Sequence, residues 1–248
     1  MIYFIGAGPG AADLITVRGM RLLQKARLVV YAGSLVNQEL LAYCPAGCEK
    51  LNSASMTLEE VIAAMSARGA DEVVVRLHTG DPSIYGAIRE QMDALDALGL
   101  GYEIVPGVSA MNAAAAALKA ELTLPDISQT VIVSRMAGRT PVPEKEDLRS
   151  LASHQASMVL FLSAGMLEKV CDELIRGGYA PDTPAAVVYK ASWPEEEVIR
   201  APLAELPGKA GHIRKTALIL VGKFLAGEGA RSKLYDPGFS HEFREASR

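Results

Sequence analysis

Three glycine-containing segments stand out for the chemistry they can carry: Gly6-Ala7-Gly8-Pro9-Gly10, His78-Thr79-Gly80-Asp81-Pro82 and Pro106-Gly107-Val108-Ser109-Ala110. Glycine lets a backbone turn sharply and approach a ligand closely, so that main-chain amides face an anion or a flat ring. The first segment invites a dinucleotide-binding reading, which two features oppose. Gly-x-Gly-x-Gly lacks the third glycine at its usual place, and Pro9 removes a backbone donor. The second apolar run ends in Tyr31-Ala32-Gly33, where an NAD site needs an acid for the ribose, and no Asp or Glu occurs between Asp13 and Glu39. A tight strand-to-helix turn accounts for some of these glycines but not all three. Asp81 can accept from a ligand amine or hydroxyl, or cap the next helix, and Ser109 has the same two readings. Taken together, three such loops at successive strand ends line one edge of a sheet, where open α/β folds bind ligands.

Other reactive groups are sparse. Cys44 and Cys48 have a C-x3-C spacing with no second pair near, which favours reduced thiols over a zinc site. His78, His154, His212 and His241 are dispersed and form no ligand spacing, so no metal is expected. No triad or paired carboxylate is evident. Twenty-five Lys+Arg against 29 Asp+Glu give a net charge of −4, which argues against a general nucleic-acid binder. With 50% hydrophobic and 22% charged residues, the chain is globular rather than disordered. The start MIYFIGAGPG has neither the basic opening nor the apolar run of a signal peptide, and no apolar stretch reaches the length of a membrane span. A cytoplasmic protein with no membrane partner is expected.

The elements that must position these loops follow from apolar patterning. Runs at Ile2–Ile5, Leu28–Tyr31, Val73–Leu77 and Tyr102–Val105 read as strands covered on both faces. Helical patterns at Thr16–Ala26, Leu35–Tyr43, Leu58–Arg68, Ile84–Leu98 and Ser109–Lys119 alternate with them, and Thr57 with Glu60 has capping-box spacing. This alternation predicts a mostly parallel sheet. Beyond Leu124–Asp126, strands are expected at Thr130–Ser134, Met158–Leu162, Ala185–Tyr189, Val198–Arg200 and Ala217–Val221, with helices at Leu148–Ser153 and Met166–Arg176. Trp193–Ala201 reads as a hairpin arm, making this half mixed, and Met136–Lys145 as a mobile loop. The expected architecture is two α/β domains, residues 1–122 and 127–225, followed by a tail over 226–248, with the active site in the cleft between the domains.

GAGPG, HTGDPSIYG and PGVSA, in this order and at these intervals in a chain near 250 residues, resemble the tetrapyrrole methylases, which use S-adenosylmethionine. The likeness covers nearly the whole chain. Tyr31-Ala32-Gly33-Ser34-Leu35-Val36 is similar to a hallmark of the branch that methylates ring carbon 11 of precorrin-4 in cobalamin synthesis. The tail from Ser232 to Pro237, with Phe239-Ser240-His241 and Phe243-Arg244, is similar to the same branch. The resemblance implies a class III methyltransferase fold and a folded cofactor held by Pro9, Thr79, Gly80, Asp81, Ile84, Ser109, Ala110, Leu162, Ala191, Thr216 and Ala217. Leu162 stands where relatives often have Met. Gly8, Gly10, Tyr31 and Ser34 would face the macrocycle, and a homodimer is implied.

Methyl transfer from a sulfonium needs alignment and exclusion of water more than acid–base groups. No base is assigned; Tyr31, Ser34 and Asp13 are candidates by motif position. The acetates and propionates of a macrocycle call for cations, and Arg135 is the preferred clamp, with Arg18, Arg76 and Arg89 behind it. For any one arginine, a solvated surface charge is the competing reading. Met136–Lys145 is read as a loop able to close over substrate, and Trp193 as a reporter of cofactor binding. The alternatives are a sister methylase acting at another ring carbon, a methylase of RNA or protein, and an NAD-dependent oxidoreductase or nucleotide-binding module.

Overall fold

The computed structural model describes residues 1–69, 71–227 and 232–246, with the Ser34 side chain not described. The chain divides into two compact units, residues 1–113 with 190–196, and 114–189 with 197–246 of those described.

In the first unit, β1 (Ile2–Gly6), β2 (Ala26–Tyr31), β3 (Glu49–Asn52), β4 (Val73–His78) and β5 (Tyr102–Val105) form an all-parallel sheet in the order β3-β2-β4-β1-β5. Alternate residues feed two cores. Ile5, Val29, Val75, Leu77 and Val105 pack with Leu23 of helix α1 (Val17–Leu23) and with Leu40. Ile2, Phe4, Leu28, Val30 and Val74 pack with helices α2 (Leu58–Ser66) and α3 (Arg89–Ala97) through Val61, Ile62, Met65 and Leu95. Burial on both faces explains why these strands read as unbroken apolar runs. The Thr57–Glu60 capping box is present in both directions and sets the start of α2.

Three differences from the sequence reading have local causes. Strand β3 was not expected: EKLN is short, lies at the sheet edge and has two exposed charged residues, so it carries no apolar run. The helix expected over Leu35–Tyr43 is two 3-10 turns, Gly33–Leu35 and Gln38–Tyr43, with Asn37 between them capping the second. The helix expected from Ile84 begins only at Arg89, because Pro82 opens a turn and Tyr85 and Ala87 take φ of 55° and 49°.

Helix α4 (Ala110–Ala117) follows β5, capped by Ser109, whose carbonyl accepts from the amides of Asn112 and Ala113. The second unit holds β6 (Val131–Arg135), β7 (Ser157–Phe161), β8 (Pro184–Tyr189), β9 (Glu197–Pro202) and β10 (Ala217–Val221) in the order β6-β7-β10-β8-β9. Only β6 and β7 are parallel, so the sheet is mixed. Helices α5 (Leu148–Ala152), α6 (Leu167–Arg176) and α7 (Leu206–Ala210) cover one face through Leu148, Val170, Leu174 and Leu206. The hairpin arm is β8 with β9, and Trp193 lies in the connection between them rather than in a strand.

His78 ends β4 with 4% of its surface exposed, stacked on Phe4 at 6.0 Å. Burial, and then the nearby Arg76 guanidinium, push its pKa down to about 3. Between that value and an ordinary histidine pKa near 6.5, the unfolded chain binds a proton that the folded chain does not. His78 therefore favours folding fully above about pH 6.5, and this contribution is lost as pH falls toward 3. Relative to His78→Gln, the wild-type chain should lose about 2 kcal/mol of stability to urea between pH 7 and pH 5. Equal losses in both proteins would contradict this account.

Candidate functional site

The carboxyl ends of β4, β1 and β5 are neighbours in the first sheet, and each releases one of the glycine loops. The chain from β1 continues to β2, beyond β4, whereas the chain from β4 continues to β5, on the other side of β1. This reversal of direction is where open α/β sheets leave a crevice for a ligand.

The loops are fastened to one another backbone to backbone. A side-chain carbon on Gly6 would meet Gly107 Cα and the Gly80 carbonyl at 2.5 Å, and one on Gly107 would meet the Gly80 carbonyl at 2.2 Å. Gly8 and Gly80 exchange reciprocal bonds, N–H to carbonyl at 3.3 and 2.8 Å, with Gly8 at φ 80°. The Asp81 carboxylate joins the second loop to the third: one oxygen accepts from the Gly107 amide at 2.8 Å, the other from the amide and hydroxyl of Ser83. Burial would raise the Asp81 pKa, but the hydrogen bonds from Ser83 and Gly107 outweigh it and hold the carboxyl below its usual range. Asp81 is thus ionised, caps the turn at Ser83 and bridges to Gly107; the next helix begins only at Arg89, so Asp81 is not its cap.

Beside this junction the Thr79 hydroxyl is buried without a protein hydrogen-bond partner. Such a group costs free energy unless something else satisfies it. Ser109 is buried at the start of α4, with Ala110 next to it, and Ile84 lies in the turn after Asp81, its amide bonded to the Asp81 carbonyl at 3.2 Å. Thr79, Gly80, Asp81, Ile84, Ser109 and Ala110 are therefore brought to one sheet edge, with Gly8, Pro9 and Gly10 on the neighbouring loop.

Gly10 is packed against Trp193 so closely that a side-chain carbon there would lie 2.1 Å from the indole. Trp193 Nε1 donates to the Pro9 carbonyl at 3.0 Å. All three glycines of GAGPG are accounted for: Gly6 and Gly10 by close approach, Gly8 by its φ. No signal in the sequence links residue 10 to residue 193.

In the second unit Leu162 follows β7 and Thr216-Ala217 opens β10, which runs antiparallel to β7, so these residues share one end of that sheet. Leu162 and Thr216 take φ of 54° and 55°, uncommon for side chains of their size, and Leu162 is 70% exposed. Strained backbone of this kind concentrates at functional sites. Ala191 is buried within the 190–196 segment.

The remaining candidates are placed as follows. Tyr31 is half-buried at the end of β2, its carbonyl accepting from the Ser53 hydroxyl at 3.1 Å. Ser34 lies in the turn Gly33–Leu35, its side chain outside the described residues. Asp13 and Arg18 are exposed. Arg89 pairs with Asp93 on α3. Arg135 donates to the carbonyls of Thr140 and Pro141 at 3.2 and 2.6 Å, folding the Met136–Lys145 loop around its guanidinium. Arg76 differs from its expected role: position 76 points into the α2–α3 core, where Nε donates to Gln91 Oε1 and Nη1 to the Val30 carbonyl. Among the described residues, no three of His, Cys, Asp or Glu are placed to hold a metal ion. Burial, followed by the neighbouring Cys48, pushes the Cys44 thiol up to about 11. No described helix is long and apolar enough to cross a membrane.

Residues 1–207 match the family of tetrapyrrole (corrin/porphyrin) methylases. The chain is similar to the cobalt-precorrin-4 C(11)-methyltransferase of Methanocaldococcus jannaschii, 53% identical over 99% of this chain and 96% of that protein. It is also similar to the precorrin-4 C(11)-methyltransferase of Mycobacterium tuberculosis, 50% identical over 92% of each. Among solved structures it resembles a cobalamin biosynthetic cobalt-precorrin-4 methyltransferase with a TM-score of 0.87 and 52% identity, covering 90% of this chain and 95% of that one.

The contact of Gly107 with Gly6 and Gly80 gives the loop junction a direct test. Gly107→Ala has no room for its methyl against the backbones of Gly6 and Gly80 and should lower stability to urea by about 1–3 kcal/mol, the range for overpacking. A loss below about 0.5 kcal/mol, the usual size of a surface substitution, would show that these strand ends are not in contact.

Proposed function

The chain belongs to the tetrapyrrole (corrin/porphyrin) methylases, and on that premise we propose that it methylates carbon 11 of precorrin-4 or its cobalt form in corrin-ring synthesis. S-adenosylmethionine supplies an electrophilic methyl on a sulfonium and leaves as S-adenosylhomocysteine. The observation that carries this reading is the junction of three strand-end loops, with the Thr79 hydroxyl buried beside it and lacking a protein partner.

The residues present fit the cofactor. Thr79 offers a hydroxyl, and Ser109 and Ala110 lie at the start of α4. Gly80 leaves its backbone open to close approach, and Ile84 adds an apolar side chain. Asp81 keeps the loops in register through Gly107 and stays ionised near a cationic sulfonium, which favours binding of that charge. Pro9, Leu162, Ala191, Thr216 and Ala217 complete the proposed cofactor contacts. Gly8, Gly10, Tyr31, Ser34 and Arg135 are the proposed macrocycle contacts, and Arg135 would have to exchange its loop carbonyls for a substrate carboxylate.

The transfer forms one carbon–carbon bond as the carbon–sulfur bond breaks, and the macrocycle then sheds a proton. Since the leaving group is already activated, the protein's task is to align the two reactants and keep water out. A homodimer in the cytoplasm is part of the same proposal.

The test is a paired anaerobic assay in which the protein and S-adenosylmethionine meet precorrin-4 in one tube and cobalt-precorrin-4 in the other. One added methyl by mass spectrometry, located at carbon 11 by NMR, is the expected result, and the faster tube assigns the metal state. Cofactor binding with no methyl transfer in either tube would leave the family and remove this substrate.

A further inference from the structure

Three consecutive residues of the first glycine loop have their main-chain groups held by side chains from distant parts of the sequence. The Pro9 carbonyl accepts from Trp193 Nε1 at 3.0 Å, the Gly10 carbonyl from Asn37 Nδ2 at 3.0 Å, and the Ala11 amide donates to Ser192 Oγ at 3.0 Å. The segment that delivers Trp193 and Ser192 is itself braced. Ser192 adopts φ 69°, its amide donates to Glu196 Oε2 at 2.7 Å, and Lys190 lies 5.4 Å from the Trp193 ring while pairing with Glu195. Gly10 has no side chain because the indole occupies that space. Residues 190–196 belong to the first unit although their flanking strands β8 and β9 belong to the second.

The consequence is specific. Of the amides at Gly8, Gly10 and Ala11, those of Gly8 and Ala11 are taken, by the Gly80 carbonyl and Ser192, and Pro9 has none. The Gly10 N–H has no protein acceptor among the described residues, and Gly10 is buried. The geometry points to Trp193 and Ser192 as positioning residues that clamp Pro9-Gly10-Ala11 and hold the Gly10 amide ready for an acceptor atom on the macrocycle. This rests on the proposed methyl transfer, in which Gly8 and Gly10 face that substrate. Holding the loop in its bound conformation removes an ordering cost from binding, so the clamp acts on binding and not on the chemical step.

Trp193→Phe keeps an aromatic ring against Gly10 and deletes the donor to Pro9. It should raise KM for the macrocycle about tenfold, the worth of one well-placed hydrogen bond, and leave kcat within about twofold. Ser192→Ala, which leaves the indole in place, should do the same and also speed exchange of the Ala11 amide in the unliganded protein by about tenfold, read by hydrogen-exchange NMR. A variant that merely loosened the fold would lower kcat as KM rises. That pattern, or unchanged kinetics in both variants, or unchanged exchange at Ala11 in Ser192→Ala, would overturn the assignment. Inactivity of the wild-type chain on both macrocycles would count against the proposed reaction, while exchange at Ala11 in the same preparations still decides whether the clamp exists.

Discussion

The contact of Gly6, Gly80 and Gly107 is the constraint on which the candidate site depends. Three parallel strands end side by side, and their loops can share one edge only if the backbones approach closer than any side chain allows. The Gly8–Gly80 pair and the Asp81–Gly107 bond then fix the loops relative to one another. Once this junction forms, Thr79 and Ser109 are placed by the backbone, which needs no further side-chain scaffold. A parallel sheet suits the purpose because every strand releases its loop at the same edge.

Electrostatics at this edge are quiet by construction. Asp81 is ionised and fully occupied, His78 is neutral at ordinary pH, and the buried Arg76 is turned into the core with amide and carbonyl acceptors. A site for proton transfer would call for a group poised near neutrality and free to move a proton. The arrangement suits alignment of an already reactive methyl donor, in keeping with the family to which the chain belongs.

Much of the fold was legible because its signal is local. Doubly buried strands read as apolar runs, the Thr57–Glu60 spacing is a capping box, and each glycine loop follows its strand directly. What was not legible depends on distance or strain. The charged edge strand Glu49–Asn52 is defined only by its neighbour β2. The late start of α3 depends on positive φ at Tyr85 and Ala87, which no residue type announces. The burial of Arg76 follows from strand alternation, since it shares a face with Val74, but a lone arginine in a strand is equally consistent with a surface charge. Trp193 and Gly10 are 183 positions apart in the chain, and only the folded backbone shows why one must be the largest residue and the other the smallest.

S-adenosylmethionine is proposed to sit at the junction of the second and third loops. A titration of isotope-labelled protein with S-adenosylhomocysteine, followed through backbone amide resonances, tests it most directly. Under this placement, saturable shifts are expected at Thr79, Gly80, Asp81, Ser109 and Ala110, larger than those at Gly6 and Ala7. Shifts confined to the first loop, as a dinucleotide lying along it would produce, or no saturable shifts at all, would contradict it.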